Sequence, residues 1–326
     1  MFNSIIRETL SISHGQFGSI YASATLLSSF ILVWIGKKID DMNILRFSFY
    51  VIILLAISSF LFSKISSIIF LFFAIFLMRL SGQGLMSHTA TTTISRYFEK
   101  TRGKALSVTW LGLSAAEFIL PVLMVFLLTF ISWRNIWISI SLLVLVLLPI
   151  SSFFLIKKLK LESRENFLED KKFESITIKQ WTRSEVLKDY RFYIISLNML
   201  SMPSIATGVF VYQSFILSSK NWGPFVMAQS FMAYSVLSVL TLSLSGFLID
   251  KYTSRKLLIY MNIPLFISTL VLYSFDSSYS SFIFLGLIGI TNGFANVLGS
   301  SCLLYTSDAA DDSLRVDLGG RRIIKK

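Results

Sequence analysis

Nine apolar stretches, each long enough to cross a bilayer, follow one another between residues 17 and 304 with short polar or basic connections. A hydrocarbon core about 30 Å thick takes roughly 20 apolar residues of helix at about 1.5 Å per residue. Helices are expected at 17–36, 46–63, 66–95, 105–131, 136–156, 192–217, 224–249, 257–274 and 281–304. A soluble fold does not fit, because 54% hydrophobic and 15% charged residues, with mean hydropathy +0.69, leave too little polar surface to cover so large a core. Barrel strands would alternate apolar and polar residues, whereas Ile52 to Phe62 is apolar almost throughout. The pattern predicts an all-α membrane protein, a polytopic helical bundle with every backbone polar group satisfied inside its own helix.

The connections divide by charge. One side carries twenty Lys and Arg residues: Lys37, Lys38 and Arg46; Arg96, Lys100, Arg102 and Lys104; ten between Lys157 and Arg191; and Lys251, Arg255 and Lys256. The other side carries Arg7, Lys64, Arg134 and Lys220. Basic loops accumulate on the cytoplasmic side, so the formal net charge of +12 reads as topology. It does not form the single basic face that a nucleic-acid partner would need. The expected location is the cytoplasmic membrane, with residues 1–16 as an external loop. Cys302 is the single cysteine, so no disulfide within the chain and no cysteine metal site is expected. His14 and His88 lack ligand spacing to carboxylates and read as a loop residue and a helix-packing residue.

Two halves are expected around the longest polar stretch: 1–156, a cytoplasmic linker at 157–191, and 192–301, with 302–326 as a tail. A repeat crosses the linker. Gly36-Lys-Lys-Ile-Asp40-Asp41 ends the first segment and Gly246-Phe-Leu-Ile-Asp250-Lys251 ends the seventh, an offset of 210 residues. The same offset carries Arg79 onto Gly289, and both neighbourhoods are rich in glycine, Gly82 and Gly84 against Gly286 and Gly293. Duplicated helical units of this kind are typical of secondary transporters.

These motifs give the chain a family resemblance: it is similar to transporters of the major facilitator superfamily. That family's cytoplasmic signature runs glycine, three residues, aspartate and then basic residues. Gly36 and Asp40 match it, with Asp41 in place of the basic residue, and Gly246, Asp250, Lys251, Arg255 and Lys256 match it more fully. Arg79-Leu-Ser-Gly82-Gln83-Gly84 resembles the arginine and glycine patch of the family's fourth helix. Phe98 to Ala105, with Arg102 and Gly103, resembles the turn that follows, and Trp133-Arg134 a pair that precedes the sixth helix. The resemblance implies twelve helices in a complete member, so this chain reads as a fragment with an incomplete fold of about nine. Residues 302–326 break from the apolar pattern and read as translated adapter sequence. The resemblance also implies a cytoplasmic gate at Gly36, Asp40, Arg102, Gly103, Gly246, Asp250, Lys251 and Arg255, in which an aspartate and a facing basic residue latch the inward side.

Charged groups deep in a span are costly and mark function by default. Two occur, Arg79 and Glu117, each roughly 18–20 Å along its helix at about 1.5 Å per residue. Two readings stand. They form a buried ion pair that joins neighbouring helices; or Arg79 binds a substrate carboxylate while Glu117 neutralises it in the resting state and carries a proton. Gln83, four residues beyond Arg79, would share its helix face. Tyr212, Gln213, Asn292 and Asn296 would supply neutral hydrogen bonds to substrate, or else contacts between helices.

The function expected is secondary active transport of a small solute by alternating access, with organic anions favoured by Arg79. The alternative is efflux of amphipathic compounds. A membrane-embedded enzyme or receptor fits less well, because no His, Cys or carboxylate cluster lies within the segments. The expected partners are a small-molecule substrate, a coupling proton and the lipid bilayer, with the chain a monomer. No cofactor, metal or nucleic acid is implied.

Overall fold

The computed structural model describes residues 2–97, 102–158, 187–252 and 254–304, with helices and no strand among them. A short helix α1 (Asn3–Leu10) leads into α2 (His14–Lys37), α3 (Ile44–Ser63) and α4 (Ile68–Met78). A π-helical segment (Arg79–Met86) continues α4 into α5 (Ser87–Tyr97). Then follow α6 (Arg102–Leu127), α7 (Trp133–Lys158), α8 (Tyr190–Val211), α9 (Gln213–Ser219) and α10 (Pro224–Tyr252). The last three are α11 (Ser254–Tyr260), α12 (Ile263–Ser274) and α13 (Ser280–Leu304). Among the described residues, eight helical spans are long and apolar enough to cross a membrane, and α13 adds an apolar run over Ser280–Asn296.

Helix starts follow local chemistry. Ser13 opens α2 with a capping box: its Oγ accepts from the Gln16 N–H at 3.2 Å, and Gln16 Oε1 accepts from the Ser13 N–H at 2.8 Å. Asn43 Oδ1 accepts from Leu45 N–H at 2.9 Å and Ser67 Oγ from Phe70 N–H at 3.2 Å, so α3 and α4 begin with their first donors satisfied. The expected external loop at 1–16 is in fact largely helical. The reason is amphipathic spacing in Asn3–Leu10, which buries Ile6 against a cluster that includes Ile12, Phe17, Ile65 and Trp133.

Three expected single helices are interrupted. The 66–95 helix widens into a π turn at Arg79–Met86, where Gly82 and Gly84 offer no side chain to resist it. The 192–217 helix stops at Tyr212, between α8 and α9. The 257–274 helix breaks at Met261–Asn262, because Pro264 in the first turn of α12 has no N–H to return to the Tyr260 carbonyl.

Two compact units emerge: Met1–Asp170 with Val209–Gln229, and Lys171–Gly208 with Ser230–Lys326. The division cuts the sequence-based halves differently, giving the α8–α9 junction to the first unit. In that unit α2 packs on α4 and on the π segment, and α3 on α4 and α7. One apolar cluster sits where α1 meets α2 and α7. A second gathers Ile39, Ile44, Phe47, Val51, Leu80 and Leu85 at the other end of α2 and α3. In the second unit α13 packs on α12 and α11, and three glycines let it approach α10. A Cβ on Gly293 would stand 2.6 Å from the Ser238 carbonyl oxygen and one on Gly286 2.7 Å from Leu237 Cδ1, while one on Gly289 would overlap the Tyr234 backbone. Small residues at such crossings are how helices associate in lipid, where apolar burial supplies no net drive. The outward faces are large and apolar, with Leu26 71% and Phe30 68% exposed, as lipid contact requires.

Candidate functional site

Arg79 is the first residue of the π segment, half-buried, with α2 as its neighbour. Its guanidinium carbon lies 5.1 Å from the centroid of the Tyr21 ring on α2, a cation–π contact. Its Nε is buried and has no hydrogen-bond partner among the described residues. Glu117, in the body of α6, is also half-buried, and its Oε2 is buried and unpartnered in the same sense. Among the described residues no ion pair joins the two, so the stitching reading of Arg79 and Glu117 lacks the contact it needs.

The α2 face that meets Arg79 extends in both directions. Gly18, one turn before Tyr21 on the same face, is where the Tyr212 hydroxyl rests, and a Cβ there would overlap that oxygen. Thr25, one turn after Tyr21, has a buried and unpartnered Oγ1. Tyr212 therefore reaches within a helical turn of the Tyr21–Arg79 pair, through α2. Gln213 beside it is buried. Gln83 is exposed. Asn292 lies in the second unit and donates from Nδ2 to Ser238 Oγ at 2.9 Å, tying α13 to α10. Asn296, one turn on, is also engaged.

At the end of α2 the Gly36 carbonyl oxygen lies 3.2 Å from His88 Nε2, across to α5. Gly36 is buried and a Cβ there would meet His88 Cδ2 at 3.4 Å, so glycine and imidazole fit each other. His88 is thus more specific than a packing residue. It adds a second partner to a helix-end carbonyl that also accepts from the Ile39 N–H at 3.2 Å. Asp40 is exposed and engaged. The side chains of Arg102, Gly246, Asp250, Lys251 and Arg255, and the surroundings of Gly103, lie outside the described residues.

The sequence singles out Arg79 and Glu117 by their charge, but not Tyr21 and Thr25, which the structure sets on the α2 face beside Arg79. The signal was present in the spacing of Gly18, Tyr21, Thr25, Ser28, Leu32 and Gly36, a stripe of mostly small or polar residues along α2.

Arg79 beside a glycine patch, on a helical bundle with repeated cytoplasmic motifs, is a pattern that can be compared with known families. The profile described as Major Facilitator Superfamily matches residues 1–316. The chain belongs to the major facilitator superfamily. Two solved structures share the fold. One is a bacterial homologue of the human lysosomal transporter Spinster in an inward-facing, unoccupied conformation, with TM-score 0.63 and 15% identity, covering 94% of this chain and 74% of that one. The other is the nucleoside transporter NupG, with TM-score 0.60 and 12% identity, covering 94% of this chain and 78% of that one. No curated protein matches the sequence. As a major facilitator superfamily member the protein is a multi-pass membrane protein and a secondary transporter acting on small molecules, rather than an enzyme.

Proposed function

We propose that the protein carries a small organic anion across the cytoplasmic membrane by alternating access, as a proton symporter, with its basic loops facing the cytoplasm and the monomer as the working unit. The observation that carries this reading is the Arg79 guanidinium, deep in a span with a buried Nε and no acceptor among the described residues. A guanidinium presents five N–H donors in a fixed fork, and a carboxylate is the planar acceptor that matches it bidentately. Leaving such a cation without an anion in a low-dielectric site is expensive, and a substrate carboxylate would relieve that cost. Glu117 is the proposed proton carrier. It is a half-buried carboxyl with an unpartnered oxygen, so taking up a proton removes the charge that burial penalises.

Tyr212, Gln213, Gln83 and Asn296 are proposed as neutral contacts to the substrate, and Asn292 as a contact between helices. The Gly36–Asp40 and Gly246–Asp250 motifs, with Arg102, Gly103, Lys251 and Arg255, are proposed as the cytoplasmic latch. A latch of a few kcal/mol biases the two-state equilibrium that alternating access requires.

The test is uptake of radiolabelled lactate, succinate and benzoate into proteoliposomes under an imposed inward proton gradient. Wild-type protein should accumulate at least one of the three, and Arg79→Ala should abolish that uptake while inserting normally. Undiminished uptake by Arg79→Ala, or no uptake of any carboxylate alongside uptake of a neutral solute, overturns the anion reading.

A further inference from the structure

Arg134, in the first turn of α7, spends a donor: its guanidinium lies 4.4 Å from the Trp133 ring centroid, and its Nη1 also donates to the Ser63 carbonyl oxygen at 2.9 Å. Arg79 is held differently. Its contact with the Tyr21 ring at 5.1 Å is the single interaction the structure gives its guanidinium among the described residues, and none of its N–H groups is used there. The face of an aromatic ring attracts a cation through its quadrupole and takes up no donor. Tyr21 thus restrains a long, rotamer-rich side chain without using any of its N–H donors. Its own hydroxyl makes no hydrogen bond among the described residues, so the ring accounts for the contact.

We infer that Tyr21 is the positioning residue of the anion site: its ring face orients the Arg79 guanidinium so that the donor edge is ready for a carboxylate before the ligand arrives. The neighbours support the placement. Gly18 and Thr25 flank Tyr21 on the same face of α2, and this face packs on the π segment that starts at Arg79. The π turn widens the helix at that residue and sets where the guanidinium leaves it. Preorganisation of this kind raises affinity by removing an ordering cost from the binding step. This inference rests on the proposed anion transport, but its physical core, a ring that holds a cation, can be tested without any ligand.

The first arm labels arginine with 15N and follows the Arg79 Nε–Hε signal in detergent micelles, assigned through Arg79→Lys. A cation on a ring face feels the ring current. Tyr21→Leu should move the signal, and Tyr21→Phe should leave it in place. The second arm titrates benzoate onto the purified protein. Tyr21→Leu should weaken binding about tenfold, Tyr21→Phe less than about twofold, and Tyr21→Trp should bind as well as wild type. Where Tyr21→Leu does not fold, phenylalanine bearing zero to three ring fluorines at position 21 replaces it. Each fluorine weakens the quadrupole at nearly constant shape, so affinity should fall stepwise. An Nε–Hε signal unmoved by Tyr21→Leu, or affinity flat across the fluorinated series, overturns the assignment. If wild-type protein binds no benzoate while Tyr21→Leu still moves the Nε–Hε signal, the anion reading fails and Tyr21 stands as a holder of Arg79 alone.

Discussion

The stretch around Arg79 and the stretch of α13 around Gly289 are related by the 210-residue offset of the internal repeat; both set glycines against neighbouring helices, and they differ in their polar groups. In α13, Gly289 and Gly293 bring the helix into contact with the backbone of α10 and Gly286 meets its Leu237 side chain, and the nearby Asn292 donates to Ser238 at 2.9 Å. In the first unit Gly82 and Gly84 lie in a π segment, where an added Cβ would stand 3.4 Å from Leu55 of α3 and 3.2 Å from Leu32 of α2, respectively, and Arg79 at its head has a buried Nε with no hydrogen-bond partner among the described residues. One copy of the repeat has become a seam between helices. The other also holds a charge that no described residue pairs, and charged residues within spans are costly. The comparison teaches that glycine density is common to both stretches; what separates them is the polar group, bonded in one and without a described partner in the other.

The largest effect should come from filling the seam. Gly289→Leu would drive a side chain into the Tyr234 backbone, which cannot rotate away, and overpacking of this kind costs at least about 1–3 kcal/mol. Size-exclusion profiles of detergent-solubilised protein should show loss of the folded species; a normal profile would mean that the α10–α13 crossing is looser than described. Next comes Glu117→Gln, which keeps shape and removes the proton. Uptake should persist as exchange down a substrate gradient but stop responding to an imposed pH gradient, and an intact pH response would assign proton coupling elsewhere. Arg79→Lys should follow with roughly a tenfold loss of substrate affinity, since an ammonium cannot bind a carboxylate bidentately; unchanged affinity would mean a point charge suffices. Asn292→Ala should be milder, costing about 0.6 kcal/mol as hydrogen bonds between membrane helices average. It should lower the melting temperature slightly with transport retained. If transport is lost instead, the two repeats are less different than the contrast between them holds.

The fold was legible because hydrophobic length is so direct a signal. All nine apolar stretches appear as helix, with ends shifted by a few residues where Ser13, Asn43 and Ser67 supply caps. The interruptions were not legible in the same way. Pro264 could have announced the break at Met261–Asn262, but Pro121, Pro149 and Pro203 sit inside continuous helices, so proline alone does not decide. The π turn had no sequence signal beyond Gly82 and Gly84, and α1 was hidden by its shortness. Of the site, Arg79 and Glu117 stood out because charge is rare in the spans. Tyr21 did not, since one aromatic among 30 Phe and 12 Tyr residues carries no mark until Arg79 is seen against its ring. Asn292 was read from its type as a neutral group for substrate or for a neighbouring helix, and only its bond to Ser238 shows which helix it touches.

The central claim is that the Arg79 guanidinium, whose N–H groups have no acceptor among the described residues, binds an anion. The most direct measurement is the thermal stability of the purified protein with benzoate, against benzyl alcohol as the neutral analogue, in wild type and in Arg79→Ala. A ligand that binds the folded state alone raises the melting temperature in proportion to the logarithm of its occupancy. The account predicts a rise with benzoate, none with benzyl alcohol, and loss of the rise in Arg79→Ala. Equal stabilisation by both compounds, or a benzoate effect that survives Arg79→Ala, would contradict it.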